Sequence, residues 1–442
     1  MRALIKRFIP RFVLRAYHYG LAVLAYSWYH TPSRHLVVIG VTGTSGKSTV
    51  AFIIARILAA AGFRVGVAST LLFKIDTKEW LNDKKMTMLG RFALQRLISK
   101  MVKANCQYAI IETTSEGIAQ FRHLGINYDT VIFTNLYPEH IESHGSFENY
   151  KKEKLKLFTK FSSNSHKVIA GKVIPKRIIA NLDNEYASEF LQPAADEKIG
   201  FTITNHSTDA GRVIRAEHLV VTGQGSEFQI GGTPFRTSLL GDHNVSNATA
   251  AIAVAISEGI SPVAVARSLE KINGVPGRIE FINEGQPFKV IVDYAFEPKA
   301  VGKLYDVVAQ IRKRKIIHVL GSTGGGRDQS RRLVLGQLAG KNSAMVIVTN
   351  EDPYDEDPQA IIDAVAAGAE GVGKKLDVDL FKIIDRREAI HYALQRAGKN
   401  DVVLITGKGC EQAIVVRNNR KIPWDDRTVV REELVKIFSK SK

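Results

Sequence analysis

Cysteine is scarce: among 442 residues only Cys106 and Cys410 are present, in separate regions and outside any Cys-x-x-Cys pair. That excludes a disulfide framework and a thiolate metal site, and it fits a reducing cytoplasm. There is no low-complexity tract and no internal repeat, so a disordered chain or a solenoid is not indicated. Acidic residues are outnumbered, with 61 Lys and Arg against 44 Asp and Glu and a formal net charge of +17. Such a balance favours anionic partners: nucleotides, acidic or phosphorylated substrates, anionic membrane surfaces or nucleic acid. No basic stripe interleaved with aromatics is found, and nucleic-acid binding is set aside. The 45% hydrophobic and 24% charged fractions are those of a globular protein. At ~150 residues per domain the length predicts two or three domains.

The strongest local signal follows Val37. Four apolar residues run into Gly43-Thr44-Ser45-Gly46-Lys47-Ser48, followed by Thr49 and a helix-like stretch to Ala61. Glycines let backbone N–H groups converge on phosphate oxygens, a lysine adds positive charge, and a serine hydroxyl can ligate the magnesium of a nucleoside triphosphate. Position 41 is Val, so the loop is a short Gly-x-x-Gly-Lys-Ser form. The residue types fit ATP.

Beyond the loop, apolar runs alternate with helical patterns. Strands are expected at 64–69, 108–112, 130–135 and 177–183, and helices at 90–104 and 147–161, which is βαβ organisation. From about Lys198 to Leu240 short alternating stretches broken by glycines predict an antiparallel patch appended to a parallel sheet. A second α/β series has strands at 290–294, 316–320, 345–349, 380–384 and 402–406. The polar stretch 283–287 reads as the boundary. Three parts are therefore expected: a basic amphipathic segment (1–34), a central ATP-binding α/β domain (35–284) and a Rossmann-like C-terminal α/β domain (285–442).

Several side chains follow strand ends, where parallel sheets collect ligands. Glu112 closes an apolar strand, and His140 lies just past another. Lys154, in Lys151-Lys152-Glu153-Lys154, reads by itself as part of a solvated helix face.

The motifs in order carry a resemblance. They are Gly-Thr-Ser-Gly-Lys-Ser, the run Glu112 to Arg122, Phe133-Thr-Asn-Leu with His140 and His144-Gly145, and Leu240-Gly-Asp-His-Asn-Val-Ser-Asn247. They continue with Gly274-Val-Pro-Gly-Arg-Ile-Glu280, Asp293-Tyr-Ala, Gly325-Gly-Arg-Asp328, Asp357-Pro358, Gly407-Lys-Gly and Asp425-Asp-Arg427. From about His35 to the C-terminus this resembles the Mur ligases, and among them the tripeptide-synthetase type. The resemblance implies a P-loop central domain and ATP-dependent, ADP-forming amide synthesis in peptidoglycan precursor formation. A substrate carboxylate takes the γ-phosphoryl group, and an amino acid's amine then displaces phosphate. It also implies two magnesium sites, with Ser48, Glu112, His140 and a carbamoylated Lys154 as metal ligands. Gly43 to Thr49, Asn244, Asn247 and Arg278 would bind nucleotide, and Lys47, Arg278 and Asp293 would act at the phosphates. Thr87, Ser115, Gln120 and Arg122 would hold a muramoyl-peptide acceptor, while Arg327, Gly407 and Glu411 would hold the amino acid.

The pattern departs from the family in three places. Where the family's diaminopimelate loop reads Asp-Asn-Pro-Arg, this chain has Glu351-Asp352-Pro353-Tyr354, without the arginine that grips a distal carboxylate. An amino acid ending in an amine, such as lysine or ornithine, is the expected substrate. Phe296 and Cys410 stand where histidines are usual, and the N-terminal uridine-binding domain has no counterpart before the loop. In its place stands a basic set (Arg2, Lys6, Arg7, Arg11, Arg15) with apolar residues at helical spacing and an aromatic stretch to Tyr29. This is an interfacial pattern, predicting peripheral contact of residues 1–30 with the inner face of a membrane. A single crossing, a cleaved signal and a helix packed on the body are the alternatives, Arg15 and His18 interrupting the apolar run. The expected protein is a cytoplasmic monomer. Competing readings are ligases with the same ATPase core acting on folylpolyglutamate, cyanophycin or lipid-linked muramyl peptides, and a non-catalytic nucleotide-binding scaffold.

Overall fold

A computed structural model describes residues 10–139, 144–204, 206, 211–311, 313–326 and 329–439. Two compact units are formed. Unit 1 takes Met1–Val220, Glu227–Thr237 and Asp242–Ile272, and unit 2 takes Val221–Ser226, Ser238–Gly241 and Asn273–Lys442.

Unit 1 is built on a nine-stranded sheet. Its strands are β1 (Val37–Thr42), β2 (Val65–Ala68), β3 (Leu72–Ile75), β4 (Lys78–Leu81), β5 (Tyr108–Glu112), β6 (Thr130–Phe133), β7 (Arg177–Asn181), β8 (Glu197–Thr202) and β9 (Arg212–Arg215). The order is β9-β8-β7-β6-β1-β5-β2-β3-β4. All neighbours are parallel except β2/β3 and β3/β4. β1, β5, β6 and β7 are buried at every position. Their uninterrupted apolar runs follow from this, because a central parallel strand is covered on both faces. Register places Val41 beside Glu112 and Thr42 beside Phe133, so the ends of β1, β5 and β6 fall at one edge.

Helices of unit 1 include α1 (Arg11–Trp28), α2 (Lys47–Ala60), α3 (Arg91–Lys103), α4 (Ser115–Ala119), α5 (Phe147–Ser162) and α6 (Asp242–Ser257). α2 is buried from Ser48 to Leu58 apart from Arg56, since it packs against both the sheet and α6. A helix enclosed in this way must be apolar all round.

The antiparallel patch expected from Lys198 to Leu240 is present within narrower bounds, as a sheet whose strands are joined by two-residue links that only antiparallel neighbours allow. β8 and β9 continue the main sheet in parallel, and the main sheet's antiparallel strands are β3 and β4. Residues 217–222, 225–230 and 233–237 form a separate three-stranded sheet. The alternation was real, with Ile199, Phe201 and Ile214 facing the core. Period-two patterning reports a half-covered strand and carries no information on its direction.

Unit 2 holds a six-stranded sheet: β10 (Glu280–Ile282), β11 (Lys289–Val292), β12 (Ile316–Leu320), β13 (Met345–Thr349), β14 (Leu380–Ile383) and β15 (Val402–Ile405). The order is β10-β11-β15-β12-β13-β14, with only β10/β11 antiparallel. Apolar clusters fill both faces, one around Val346 and Leu404 and the other around Val403 and Val430. The parallel sheet and its C-terminal crossovers match the expected Rossmann-like series. A buried ion pair ties its strand ends together. Arg386 donates to both carboxylate oxygens of Asp426 at 2.8 and 2.7 Å and to the Thr406 carbonyl at 2.7 Å, while the Trp424 indole also donates to Asp426. Removing one partner strands a buried charge. Asp426→Asn is expected to lower the unfolding free energy of unit 2 by ~3–5 kcal/mol, measured by urea denaturation.

Candidate active site

The turn after β1 delivers Gly43 to Gly46 to the start of α2. Gly46 has φ +80°, and a Cβ there would lie 2.3 Å from Asn247 Oδ1. Only glycine fits both the conformation and the approach of α6. Asn247 in turn donates to Asn244 Oδ1 at 3.2 Å, so both predicted nucleotide-contacting asparagines lie against the turn or next to it. The turn is held from β6: Thr44 N–H donates to the Asn135 carbonyl, Ser45 N–H to Asn135 Oδ1, and Thr134 Oγ1 to the Ser45 carbonyl. Thr49, the third residue of α2, is buried.

Glu112, at the end of β5, is 2% exposed and accepts from Ser48 Oγ at 2.9 Å and from Thr70 N–H at 2.7 Å. Lys47 Nζ stands 4.0 Å from the same carboxylate and donates to the Thr44 carbonyl at 2.9 Å. Serine hydroxyl and carboxylate side by side beneath a phosphate cradle are the oxygen donors magnesium prefers. Among the described residues no three His, Cys, Asp or Glu side chains cluster as a metal site. His140 lies outside the described residues.

Lys154 is not on a solvated face. It projects from α5 into the interior, 1% exposed, and donates to the Gly43 carbonyl at 2.7 Å, with the Tyr150 ring 4.6 Å away. Burial drives its amine well below the usual lysine range, repulsion from Lys47 adds to this, and Glu112 opposes it. The amine is therefore held neutral more readily than any surface lysine. The expectations for Lys47, Ser48, Glu112 and Lys154 thus meet in one place.

The predicted acceptor residues form a neighbouring group. Thr87 Oγ1 accepts from Thr70 Oγ1 at 2.8 Å, linking it to the residue whose amide binds Glu112. Ser115 Oγ lies 3.1 Å from His144 Nε2 at the start of α4. Arg122 binds Gln120 Oε1 through Nε and Nη2 and the Met88 carbonyl through Nη1. Arg91, which the sequence reading missed, donates to the Gln120 carbonyl at 2.5 Å, and its Nε is buried with no partner. Burial lowers the pKa of both guanidiniums, and Arg122 lowers that of Arg91 further.

In unit 2, Asp293 accepts from the N–H groups of Ile279 and Ala295, fixing the turn that carries Arg278, whose guanidinium stacks 4.2 Å from the Tyr294 ring. Glu351, Asp352, Gly407 and Glu411 come together. A Cβ at Gly407 would sit 2.3 Å from Glu351 Oε2, and that oxygen is buried without a partner while Oε1 accepts from Thr323. Burial and neighbouring Asp352 raise the Glu351 pKa. Lys408, fully buried, donates to Asp352 Oδ1 and Glu411 Oε2, each at 2.8 Å. Its place inside Gly407-Lys408-Gly409 was visible, but its pairing was not. Tyr354 has φ +53° and donates its N–H to Val415, and Arg327 lies outside the described residues.

Comparison with known proteins agrees with this geometry. Residues 41–255 match the family description "Mur ligase middle domain", and residues 277–409 match "Mur ligase, glutamate ligase domain". A UDP-N-acetylmuramyl-tripeptide synthetase from Roseiflexus sp. (strain RS-1) is 37% identical over 426 residues, covering 95% of this chain and 82% of that relative. The chain belongs to the Mur ligase family. A UDP-N-acetylmuramoyl-L-alanyl-D-glutamate–2,6-diaminopimelate ligase from Clostridium acetobutylicum is 32% identical to this Mur ligase over 430 residues, covering 95% and 82% of the two chains. The solved structure of a ligase with that same name superposes with TM-score 0.60 at 27% identity, covering 91% of this chain and 79% of that one.

Lys154 makes stability pH-dependent with a definite sign. The unfolded lysine binds a proton up to ~10.4, and the folded one releases it earlier, so unfolding takes up protons and stability rises with pH in this range. In CO2-free buffer, Lys154→Met is expected to raise stability at pH 7 and to flatten its increase toward pH 9.5, measured by urea unfolding at both values.

Proposed function

We propose that this Mur ligase, an ATP-dependent, ADP-forming ligase of peptidoglycan precursor synthesis, joins an amino acid bearing a side-chain amine to the carboxylate of a muramoyl-peptide acceptor. The observation that carries the reading is the meeting of Lys47, Ser48, Glu112 and a buried Lys154 at one glycine turn. Two anions, triphosphate and carboxylate, must approach each other, and fixed positive charge with aligned backbone donors offsets their repulsion. The acceptor carboxylate oxygen bonds to the γ-phosphorus as the bond to the β-bridging oxygen breaks, releasing ADP. The amino acid's amine then attacks the acyl carbon, phosphate leaves, and the amine proton is lost to solvent or base.

Ser48 and Glu112 are the residues that would hold magnesium, which supplies charge neutralisation at the phosphates when bound. A lysine amine kept neutral is also the form that adds carbon dioxide, giving a carbamate anion and a proton. The reading therefore includes a carbamoylated Lys154 as an anionic ligand for a second magnesium. Thr87, Ser115, Gln120 and Arg122 are assigned to the acceptor, with Arg91 supplying a second guanidinium for its acidic groups. Arg278 and Asp293 keep the phosphate-side roles that the resemblance implies. For the amino acid, Glu351, Asp352 and Glu411 outnumber Lys408, so the cluster favours an incoming amine over a carboxylate. The enzyme acts as a monomer on the cytoplasmic side, with peripheral membrane contact through residues 1–30.

Phosphate release is measured with ATP, magnesium, UDP-N-acetylmuramoyl-L-alanyl-D-glutamate and single amino acids. Release that requires both the acceptor and lysine or ornithine is expected; nucleotide binding with no turnover for any amino acid would sink the acceptor assignment. Tyr354→Arg is expected to improve the use of diaminopimelate relative to lysine by about tenfold, the worth of one charge-assisted hydrogen bond. Unchanged selectivity counts against the amine-binding cluster. Protein equilibrated with 13C-bicarbonate is expected to show a carbamate carbon resonance that Lys154→Ala abolishes.

A further inference from the structure

The first helix carries large apolar side chains on the side away from the body, while small ones meet its neighbouring helix. Ala22 and Ala25 of α1 are buried at 2% and 0% exposure, where the helix lies on α3. Val13, Tyr17, Leu24 and Trp28 are 43%, 59%, 61% and 75% exposed. At 3.6 residues per turn these four fall within a stripe roughly 60° wide on the opposite side. A single exposed apolar residue needs no explanation, but a continuous stripe ending in tyrosine and tryptophan does. Among the described residues no helix is long and apolar enough to cross a membrane.

Charge supplies the partner. No acidic residue precedes Asp76 in the chain, and α3 also lacks one while exposing Arg96, Lys100 and Lys103. Arg34, just after α1, is exposed as well. An apolar face on a helix without acidic residues, packed on another that has none, fits the surface of an anionic bilayer, where rings sit at the headgroup level and cations meet phosphate.

The inner side of α1 grips the acceptor loop. Tyr19 packs edge-on against Phe121 at 5.5 Å, and Arg15 stands 5.5 Å from the same ring. Gly125 lies under Tyr26, where a Cβ would come within 2.3 Å, and Ser33 Oγ donates to the Gly125 carbonyl. Gln120 and Arg122 sit in this clamped stretch.

We infer that α1 docks the enzyme on anionic lipid through Val13, Tyr17, Leu24 and Trp28, placing the Gln120 to Arg122 loop behind the helix, one helix diameter (~10 Å) from the lipid surface, within reach of acceptors presented from the bilayer. The docking face deepens the membrane contact proposed above, and its consequence for the acceptor rests on the ligase reading. The full chain is sedimented with vesicles of phosphatidylglycerol and phosphatidylcholine, and with phosphatidylcholine alone. Binding to the anionic vesicles with a blue shift of tryptophan emission that Trp28→Phe abolishes is expected, and Leu24→Glu and Trp28→Glu should each lower partitioning about tenfold, the worth of withholding one such side chain from an apolar phase. A nucleotide-dependent rise in Tm shows that the variants are folded. No binding to anionic vesicles, equal binding by both variants, or a concentration-dependent dimer that Trp28→Glu dissolves without any vesicle binding would overturn the inference. No turnover enters this measurement, so a failed ligase assay and a failed docking face are told apart.

Discussion

A site that brings triphosphate and carboxylate together must concentrate positive charge before either arrives, and buried like charges repel. The glycine turn meets this constraint with two lysines in different surroundings. Lys47 lies beside Glu112 and the Thr44 carbonyl. Lys154, deeper and near the first, is driven toward neutrality by burial and by Lys47 itself. Were both lysines charged, one carboxylate would face two ammonium groups inside the protein, an arrangement whose desolvation cost one ion pair does not offset. Glu112 links the two, since its other contacts, Ser48 Oγ and Thr70 N–H, extend to the start of α2 and to the threonine pair with Thr87.

Unit 2 solves the mirror problem. Three carboxylates converge near Gly407, and one buried ammonium, Lys408, is shared by two of them. The third, Glu351, is left with a buried oxygen lacking a partner and responds through a raised pKa. A group in that position is either protonated or awaiting a donor. An incoming amine supplies both donor and charge. A distal carboxylate supplies neither, and Tyr354, where the family pattern has arginine, offers no second cation to receive it.

Most of the framework was legible because buried parallel strands leave unbroken apolar runs: β5, β12 and β13 coincide with the stretches read from periodicity. The P-loop was legible for a different reason, since few sequences satisfy both the backbone and the charge requirements of a phosphate cradle. Lys154 was illegible from its neighbours. Lys151, Lys152 and Lys156 share its composition, and only the approach of Gly43 distinguishes the one that turns inward. Arg91 was missed because a lone arginine opening a helix carries no local signal, and its meaning comes from Gln120, 29 residues away. The antiparallel patch was legible from alternating stretches broken by glycines, but not where it begins, because alternation encodes coverage and not direction, and the strands at 197–202 and 212–215 belong to the parallel sheet.

The N-terminal segment shows how one pattern supports several readings until packing separates the two faces of a helix. Basic residues with apolar ones at helical spacing suit a membrane surface, a signal, a crossing or a packed helix alike. Packing makes α1 a docked helix on one side, through Ala22, Ala25 and Tyr26. Had docking on the body been its only role, the larger side chains would be expected inward, where each buried leucine-sized group contributes ~1.5–3 kcal/mol. Leu24 and Trp28 are instead 61% and 75% exposed. A surface outside the chain can bury them, and the lack of any acidic residue before Asp76 favours an anionic one.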